Sequence, residues 1–422
     1  MKLQIISREI IKPSSPTPPH LRTHKLSIFD QLAPDVYFPV ILFYSRSSIK
    51  SSHHLKHSLS EILTHYYPFA GQVKDDFSID CDDHGVIFIE ANVASDMSEI
   101  LKKPEIDLLE NLLPCQPSES LTAPVNLAVQ VNRFGCGGIA ISICFKHIIA
   151  DASAAANFIK NWAAVACGLN HSKDVVFDST AIFPPNDSIA LVKSLYNRSL
   201  SAESITKRFV FHGDKIAALR EKISQGSFLD RPTRFEAVSA LIWAGVIGVV
   251  RERDKIAVTH LIRTPVNLRK RMNPPLPQES MGNIFQVAMA NWSMENEIDY
   301  NNLAGKIHES VRMIDDNYVR KLHGGGEYLN QFKNGDAGLL KSNTSRIFAI
   351  TSWCTLPFYK ADFGFGKPAW LSTAMRYKDV AILFDTCDGE GIEAWVALGK
   401  EDMALFKQEP GILAYASFNP SI

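Results

Sequence analysis

Apolar residues along the chain recur with two periods, and each change of period marks an element. Residues 3–11 form a short strand-like run that leads into the Pro/Ser-rich loop KPSSPTPPHLR. Residues 38–44 (FPVILFY) are a dense apolar run of β-formers and predict a buried strand. From residue 54 to 67, Leu55, Leu59, Ile62, Leu63 and Tyr66 fall at helical spacing. The PFAG stop at 68–71 ends that helix. Residues 78–80 and 86–90 read as a hairpin through the turn DDHG. Residues 126–146 predict two strands joined at GCGG, followed by an Ala-rich helix reaching Cys167. Between that strand and that helix lies HIIAD, with His147 at the strand end and Asp151 at the helix start.

The second half begins after a polar stretch, residues 170–205, broken by FPP and read as a crossover. A strand follows at KRFVF, then helices over 214–223 and 234–250 and a strand over 258–267. That strand enters the loop RKRMNPPLP. Residues 300–342 are polar and helical, interrupted at Gly324, Gly325 and Gly326. Residues 347–352 and 380–384 are apolar strands with a turn-rich segment between them. Strands and helices mix without regular βαβ alternation, and no fixed repeat is visible, which suggests an α+β or layered α/β architecture. At 422 residues the chain exceeds what one core usually supports, so two domains or a duplication are expected.

Composition removes some functions. Hydrophobic residues make up 46% and charged residues 21%, values of a folded globular chain. The formal net charge of −1 and the lack of long like-charge runs argue against a nucleic-acid or membrane surface. Cys81, Cys115, Cys136, Cys144, Cys167, Cys354 and Cys387 are odd in number and irregularly spaced. Neither a disulfide framework nor a zinc site is expected from them. The N-terminal run meets Glu9 and Pro13 early, unlike a signal peptide, and no segment holds about twenty apolar residues. The Asn-x-Ser/Thr triplets at Asn186, Asn197, Asn291 and Asn343 then carry no meaning, and a cytoplasmic location is expected.

His147 and Asp151 form an HxxxD pair of the kind chance supplies roughly once in a chain of this composition. The bland reading is a core or capping histidine beside an aspartate that starts a helix. The chemical reading is a general base, because a neutral imidazole is available near neutral pH. Asp151 either orients the imidazole or pairs with an arginine and locks the loop, and a helix N-terminus favours it electrostatically. The stretch DFGFGKP at 362–368 interleaves glycines with aromatic residues and makes a tight turn. Lys367 could meet a phosphate there, or the whole stretch could be an ordinary structural loop.

Together, HIIAD in the middle and DFGFG near the end resemble the plant BAHD acyltransferases, which carry HxxxD and DFGWG in that order. The resemblance spans essentially the whole chain. It includes KPSSPTPPHLRTHKLSIFDQ, HYYPFAG, FGCGGIAIS, VNLRKRMNPPLP, MGN at 281–283 and TSWCTLPFYKADFGFGKP. It is greatest with the branch whose members acylate alkaloids, terpenoids and sugar esters. The resemblance implies an α/β, two-domain, chloramphenicol acetyltransferase-like fold of mixed sheets flanked by helices, with a solvent channel between the domains. An N-terminal domain, 1–190, would carry HxxxD and be joined by a segment near 355–380. A crossover loop, 191–210, would lead to a C-terminal domain, 211–422, carrying the DFGFG loop.

The resemblance also implies roles. His147 matches the general base, and Asp151 matches an aspartate that turns away and pairs with an arginine, here Arg269. Thr351 and Trp353 match positions beside the tetrahedral intermediate, whose oxyanion either could stabilise. Asp362, Phe363, Gly364, Phe365 and Gly366 match a structural loop remote from the chemistry. Phe365 stands where the family has tryptophan and lacks the indole donor, so a packing adjustment is expected. Ala152 replaces a frequent glycine, which implies a slightly narrower acceptor pocket. The motif SMGN stands where malonyl-transferring members carry a YFGN-like signature, which tilts the donor towards acetyl-CoA.

The implied reaction is direct transfer from an acyl-CoA co-substrate to a small-molecule alcohol, with no bound cofactor, no metal, no nucleic-acid partner and no membrane insertion. A monomer acting on an alkaloid is favoured, with acylsugar or terpenoid transfer using another short acyl-CoA as the alternative. Cys144 reads as core rather than nucleophile, and no GxSxG elbow is present. DTCDGEG at 385–391 lacks the spacing of a calcium loop and reads as a solvated hairpin turn. A hydrolase and a non-catalytic binding relative are the competing classes.

Overall fold

Runs that are apolar at nearly every position become the interior strands of two mixed sheets. The computed structural model describes residues 2–45, 52–115, 125–169, 175–187, 204–324, 342 and 344–422. The first half supplies β1 (Leu3–Ile11), β2 (Thr23–Lys25), β3 (Tyr37–Tyr44), β4 (Gln72–Val73), β5 (Ser78–Asp80), β6 (Val86–Val93), β7 (Leu127–Phe134) and β8 (Ile139–Lys146). The second half supplies β9 (Ser204–Phe211), β10 (Thr259–Asn267), β11 (Phe285–Ser293), β12 (Ser345–Ser352), β13 (Trp370–Ser372), β14 (Val380–Asp385), β15 (Ile392–Gly399) and β16 (Ser417–Phe418).

One sheet runs β1-β6-β7-β8-β3-β13, the other β11-β10-β12-β14-β15-β9-β16, and β2-β5-β4 form a small third. The neighbours β3 and β8 are buried at every position, as the unbroken apolar run of FPVILFY predicts. Helices His53–His65 and Ala152–Ala166 join the same core, where Trp162 Nε1 donates to Leu55 O at 3.3 Å and Ser58 Oγ at 3.1 Å. Across the second sheet, helix Arg234–Arg253 starts in a Thr233/Glu236 capping box. It buries almost every residue from Glu236 to Val249.

The chain does not stay on one sheet. After β12 it crosses to the first sheet, adds β13 antiparallel to β3, and returns as β14. A buried triad secures this seam. Arg208 of β9 pairs with Glu393 of β15 at 2.6 Å, and Trp370 Nε1 donates to the same Glu393 oxygen at 3.1 Å. A third apolar cluster also bridges the halves, packing Ile28, Phe29 and Phe183 against Leu268, Met272 and Ile284.

Several expectations differ from this arrangement. Residues 78–80 and 86–90 are strands, but they are not partners: β5 pairs with β2 and β4, whereas β6 pairs with β1 and β7. The mostly buried β6 has both edges occupied in the large sheet, which leaves β5 to the small one. Residues 204–210, inside the bounds given to the crossover although KRFVF (207–211) reads as a strand, all belong to β9, which starts at Ser204 and pairs with β15 along its whole length. The DFGFG residues, which fall both in the 355–380 segment expected to join the first domain and within the bounds given to the second, pack in the first core, since β13 pulls residues 357–372 to that side. The polar helical stretch breaks at Met313–Asp315, between helices Tyr300–Arg312 and Asp316–Gly324. Gly325, Gly326, Asn197 and Asn343 lie outside the described residues. β11, β15 and the short helix Ile28–Leu32 were not anticipated from the pattern. No helix among the described residues is long and apolar enough to cross a membrane.

Candidate active site

The last residue of β8 delivers the chain into one 3₁₀ turn, His147–Ile149, and then into helix Ala152–Ala166. The backbone N–H of His147 donates to Val36 O at 2.9 Å, which fixes the strand end. Its half-buried imidazole lines a cavity of about 410 Å³ with walls from both sheets. Phe38 of β3 packs against the ring at 5.0 Å between centroids and against Trp353 at 6.0 Å.

A residue with no role assigned from sequence sets the tautomer of His147. Asn283 Nδ2 donates to Asp30 Oδ1 at 2.9 Å and to His147 O at 2.8 Å, and its backbone N–H donates to Asp30 Oδ1 at 2.7 Å. Both partners of Nδ2 are acceptors, so the amide has one orientation only. Asn283 Oδ1 therefore faces His147 Nδ1 at 3.1 Å, and Nδ1 must carry the proton. Nε2 is left with its lone pair. Asp30 is itself held by Ser27, whose N–H and hydroxyl both donate to Oδ2, in a capping box at the start of helix Ile28–Leu32. Burial pushes the Asp30 carboxyl above its ordinary range, against the opposing effect of these hydrogen bonds. The Ser-x-x-Asp spacing was a readable capping signal, but nothing in the sequence linked it to residue 283.

Burial likewise lowers the His147 pKa below its ordinary 6.5, opposed only in part by its own backbone, Asp151 and Asn283. The ring is neutral at physiological pH.

Asp151 does not hydrogen-bond to the imidazole. It caps its helix by accepting Ala154 N–H at 2.8 Å, and accepts Ile284 N–H at 3.0 Å. The fully buried Arg269 donates to both of its oxygens, at 2.8 and 3.2 Å. Arg269 also donates to Ser280 O and Gly282 O, so one ion pair ties the HIIAD loop to residues 267–284. Gly282 is required at this junction. Its φ is +103°, and a Cβ would stand 3.3 Å from Asp30 Oδ1.

Thr351 and Trp353 line the cavity together with His147, Asp151 and Ala152. None of residues 362–366 does. Asp362 Oδ1 accepts the N–H groups of Gly364 and Gly366 at 2.8 and 2.9 Å, and both glycines have positive φ. Phe363 packs edge-on against Trp162, and Phe365 edge-on against Tyr44. Lys367 is exposed on the same loop. Cys144 is fully buried in β8 and lies outside the cavity lining. Residues 386–391 close the β14–β15 hairpin, with Asp388 accepting from Thr386 and Glu390. No group of three or more metal-ligating side chains occurs among the described residues.

Comparison with known proteins agrees with this architecture. The model of the Transferase family matches residues 1–413. Epi-neemfruitin B synthase L1AT of Melia azedarach is 53% identical, and a limonoid 1-O-acetyltransferase of Citrus sinensis is 51% identical, each over the full length of both chains. The crystal structure of vinorine synthase superposes with a TM-score of 0.87 at 33% identity, again covering all of both chains.

Proposed function

The chain belongs to the Transferase family, the plant BAHD acyltransferases, and is an acyl-CoA-dependent O-acyltransferase; from that membership we propose that it acetylates a hydroxyl of a limonoid-type terpenoid. The alkaloid favoured from sequence gives way to the terpenoid alternative, because relatives at about half identity are named for limonoids. A cavity lined mainly by aliphatic and aromatic residues supports a bulky apolar alcohol.

One observation carries the mechanism: Asn283 holds the proton on Nδ1 and leaves Nε2 as the base. Nε2 removes the proton from the acceptor hydroxyl, and the alkoxide attacks the thioester carbonyl of acetyl-CoA. Thr351 or Trp353 donates to the oxyanion, a contribution of typically about 3 kcal/mol for such donors. Collapse breaks the C–S bond, and the imidazolium returns its proton to the departing thiolate. Asp151 and Arg269 hold the loop and take no proton.

The test is coenzyme A release from acetyl-CoA by purified protein, with and without limonoid alcohols, together with product masses. An acetyl mass gain only when alcohol is present supports transfer. Release without alcohol points to a hydrolase, and acetylation of alkaloid but not limonoid alcohols overturns the substrate class.

The pH profile follows from the same base. Because the His147 pKa lies below 6.5, kcat/KM should rise with pH through a midpoint under that value and stay flat across neutrality. A midpoint above 7 contradicts a desolvated imidazole base. Replacing its orienting partner, Asn283→Ala, should lower kcat about 10- to 100-fold, as loss of an outer partner does for other functional imidazoles. Unchanged kcat in that variant sinks the tautomer assignment.

A further inference from the structure

The cavity has two ends with different chemistry. At one end are His147, Phe38 and Trp353. The other end is set by a row across the second sheet, where Arg263 of β10 lies beside Ala349 of β12 and Ala349 beside Val380 of β14. Tyr377 lies three residues before the start of β14, and the chain that follows it is tied to this row, since Ala349 N–H donates to Asp379 O. From Ala349 to Trp353 is four residues along an extended chain, so the two ends are about 13 Å apart.

Tyr377 lines the cavity, and its buried hydroxyl has no hydrogen-bond partner among the described residues. Burial raises its pKa, so the phenol keeps its proton and is a donor. A buried donor without an acceptor is destabilising, and such groups in folded proteins commonly meet a partner supplied by ligand or water. Arg263 also lines this end, and its five N–H donors are enough to serve a ligand oxygen besides its contacts within the protein. Between the ends, the wall is Pro265, Phe285, Val287 and Ile382, with Thr351 the one polar side chain among them, two residues from Trp353 on the side of the base. That surface suits a rigid hydrocarbon body. The amide-rich arm of coenzyme A would leave its peptide groups unpaired against it.

Resting on the proposed transfer to a bulky alcohol, we propose that Arg263 and Tyr377 form an anchoring subsite for the acceptor. They bind a hydrogen-bond-accepting oxygen, a carbonyl, ester or ether, on the side of the acceptor remote from the hydroxyl presented to His147. The anchor and the base together select which hydroxyl is acylated: an acceptor is positioned only if oxygen and hydroxyl are separated by roughly the length of the cavity.

The test is calorimetric titration of wild type, Tyr377→Phe and Arg263→Gln with a panel of limonoid and alkaloid alcohols and, separately, with coenzyme A. Binding needs no turnover, so a failed mechanism at His147 does not affect the result. The acceptor Kd should rise about three- to tenfold in Tyr377→Phe and about tenfold or more in Arg263→Gln, with the coenzyme A Kd unchanged. An acceptor lacking the remote oxygen should bind wild type and Tyr377→Phe equally. Weaker coenzyme A binding with unchanged acceptor binding would assign the pair to the coenzyme, and no change in either would remove the subsite; both overturn the proposal. If only alkaloid alcohols bind, the limonoid reading falls and the comparison is made on those ligands. If no alcohol binds wild type, both ideas fall. Melting temperatures of the two variants confirm that the fold is retained.

Discussion

Replacing His147 with alanine should lower kcat by about 10² to 10⁴, the range that a positioned general base contributes. Affinity for coenzyme A and for acceptor should stay near the wild-type values. The reason lies in how little else the side chain does. Its ring makes one hydrogen bond to another residue, from Nδ1–H to Asn283, and one ring contact, to Phe38, while the backbone bond to Val36 O survives the substitution. One neutral hydrogen bond is worth about 1 kcal/mol, so unfolding should move little while turnover collapses. Steady-state kinetics with acetyl-CoA and an acetylated alcohol measure the first effect, and thermal unfolding the second. Near-normal turnover in His147→Ala would end the mechanism. Turnover that disappears together with a large fall in melting temperature would show that the histidine is structural.

Two kinds of information were present in the sequence to different degrees. Local pattern carried the strands around HIIAD well: β3, β7, β8 and helix Ala152–Ala166 fall within a residue or two of expectation. These elements are strongly apolar and bounded by clear turn residues, so short-range preference and long-range packing agree. Pairing was less legible. β5 and β6 look like a hairpin because they are adjacent with a turn between, yet each finds a better edge elsewhere. Strand pairing depends on which edges are free, and that is a property of the whole sheet.

The site divides in the same way. His147, Asp151 and Arg269 were reachable through motif resemblance, and the structure brings Asp151 and Arg269 into contact. Asn283 and Asp30 were not. They act on His147 through contacts spanning 136 and 253 residues of sequence, and neither the pair Gly282-Asn283 nor the cap at Asp30 discloses that distance. Tyr377 gave no sequence signal either, because an orphaned hydroxyl is visible only once its neighbours are known.

Arg269→Ala is the substitution expected to cost most in stability. Removing one member of a buried ion pair leaves the other charged and desolvated, at a cost of about 3–5 kcal/mol. Here Asp151 would lose two donors and keep only the N–H groups of Ala154 and Ile284. The carbonyl of Ser280 would lose its Arg269 donors, and that of Gly282 would keep only the long bond from Asp151 N–H. Since these contacts hold residues 280–284, and Asn283 in turn orients His147, activity should fall through displacement of the base. Arg269→Lys should recover only part of the stability, because an ammonium cannot present the two-pronged donor that reaches both Asp151 oxygens. Chemical denaturation midpoints and kcat per folded molecule separate the two readings of Asp151. If Arg269→Ala shifts the midpoint strongly and Asp151→Asn, which keeps the cap acceptor, shifts it less with modest loss of kcat, the pair is structural. If instead Asp151→Asn unfolds normally but loses activity as completely as His147→Ala, the aspartate takes part in the chemistry and its turn away from the imidazole must reverse when substrate binds.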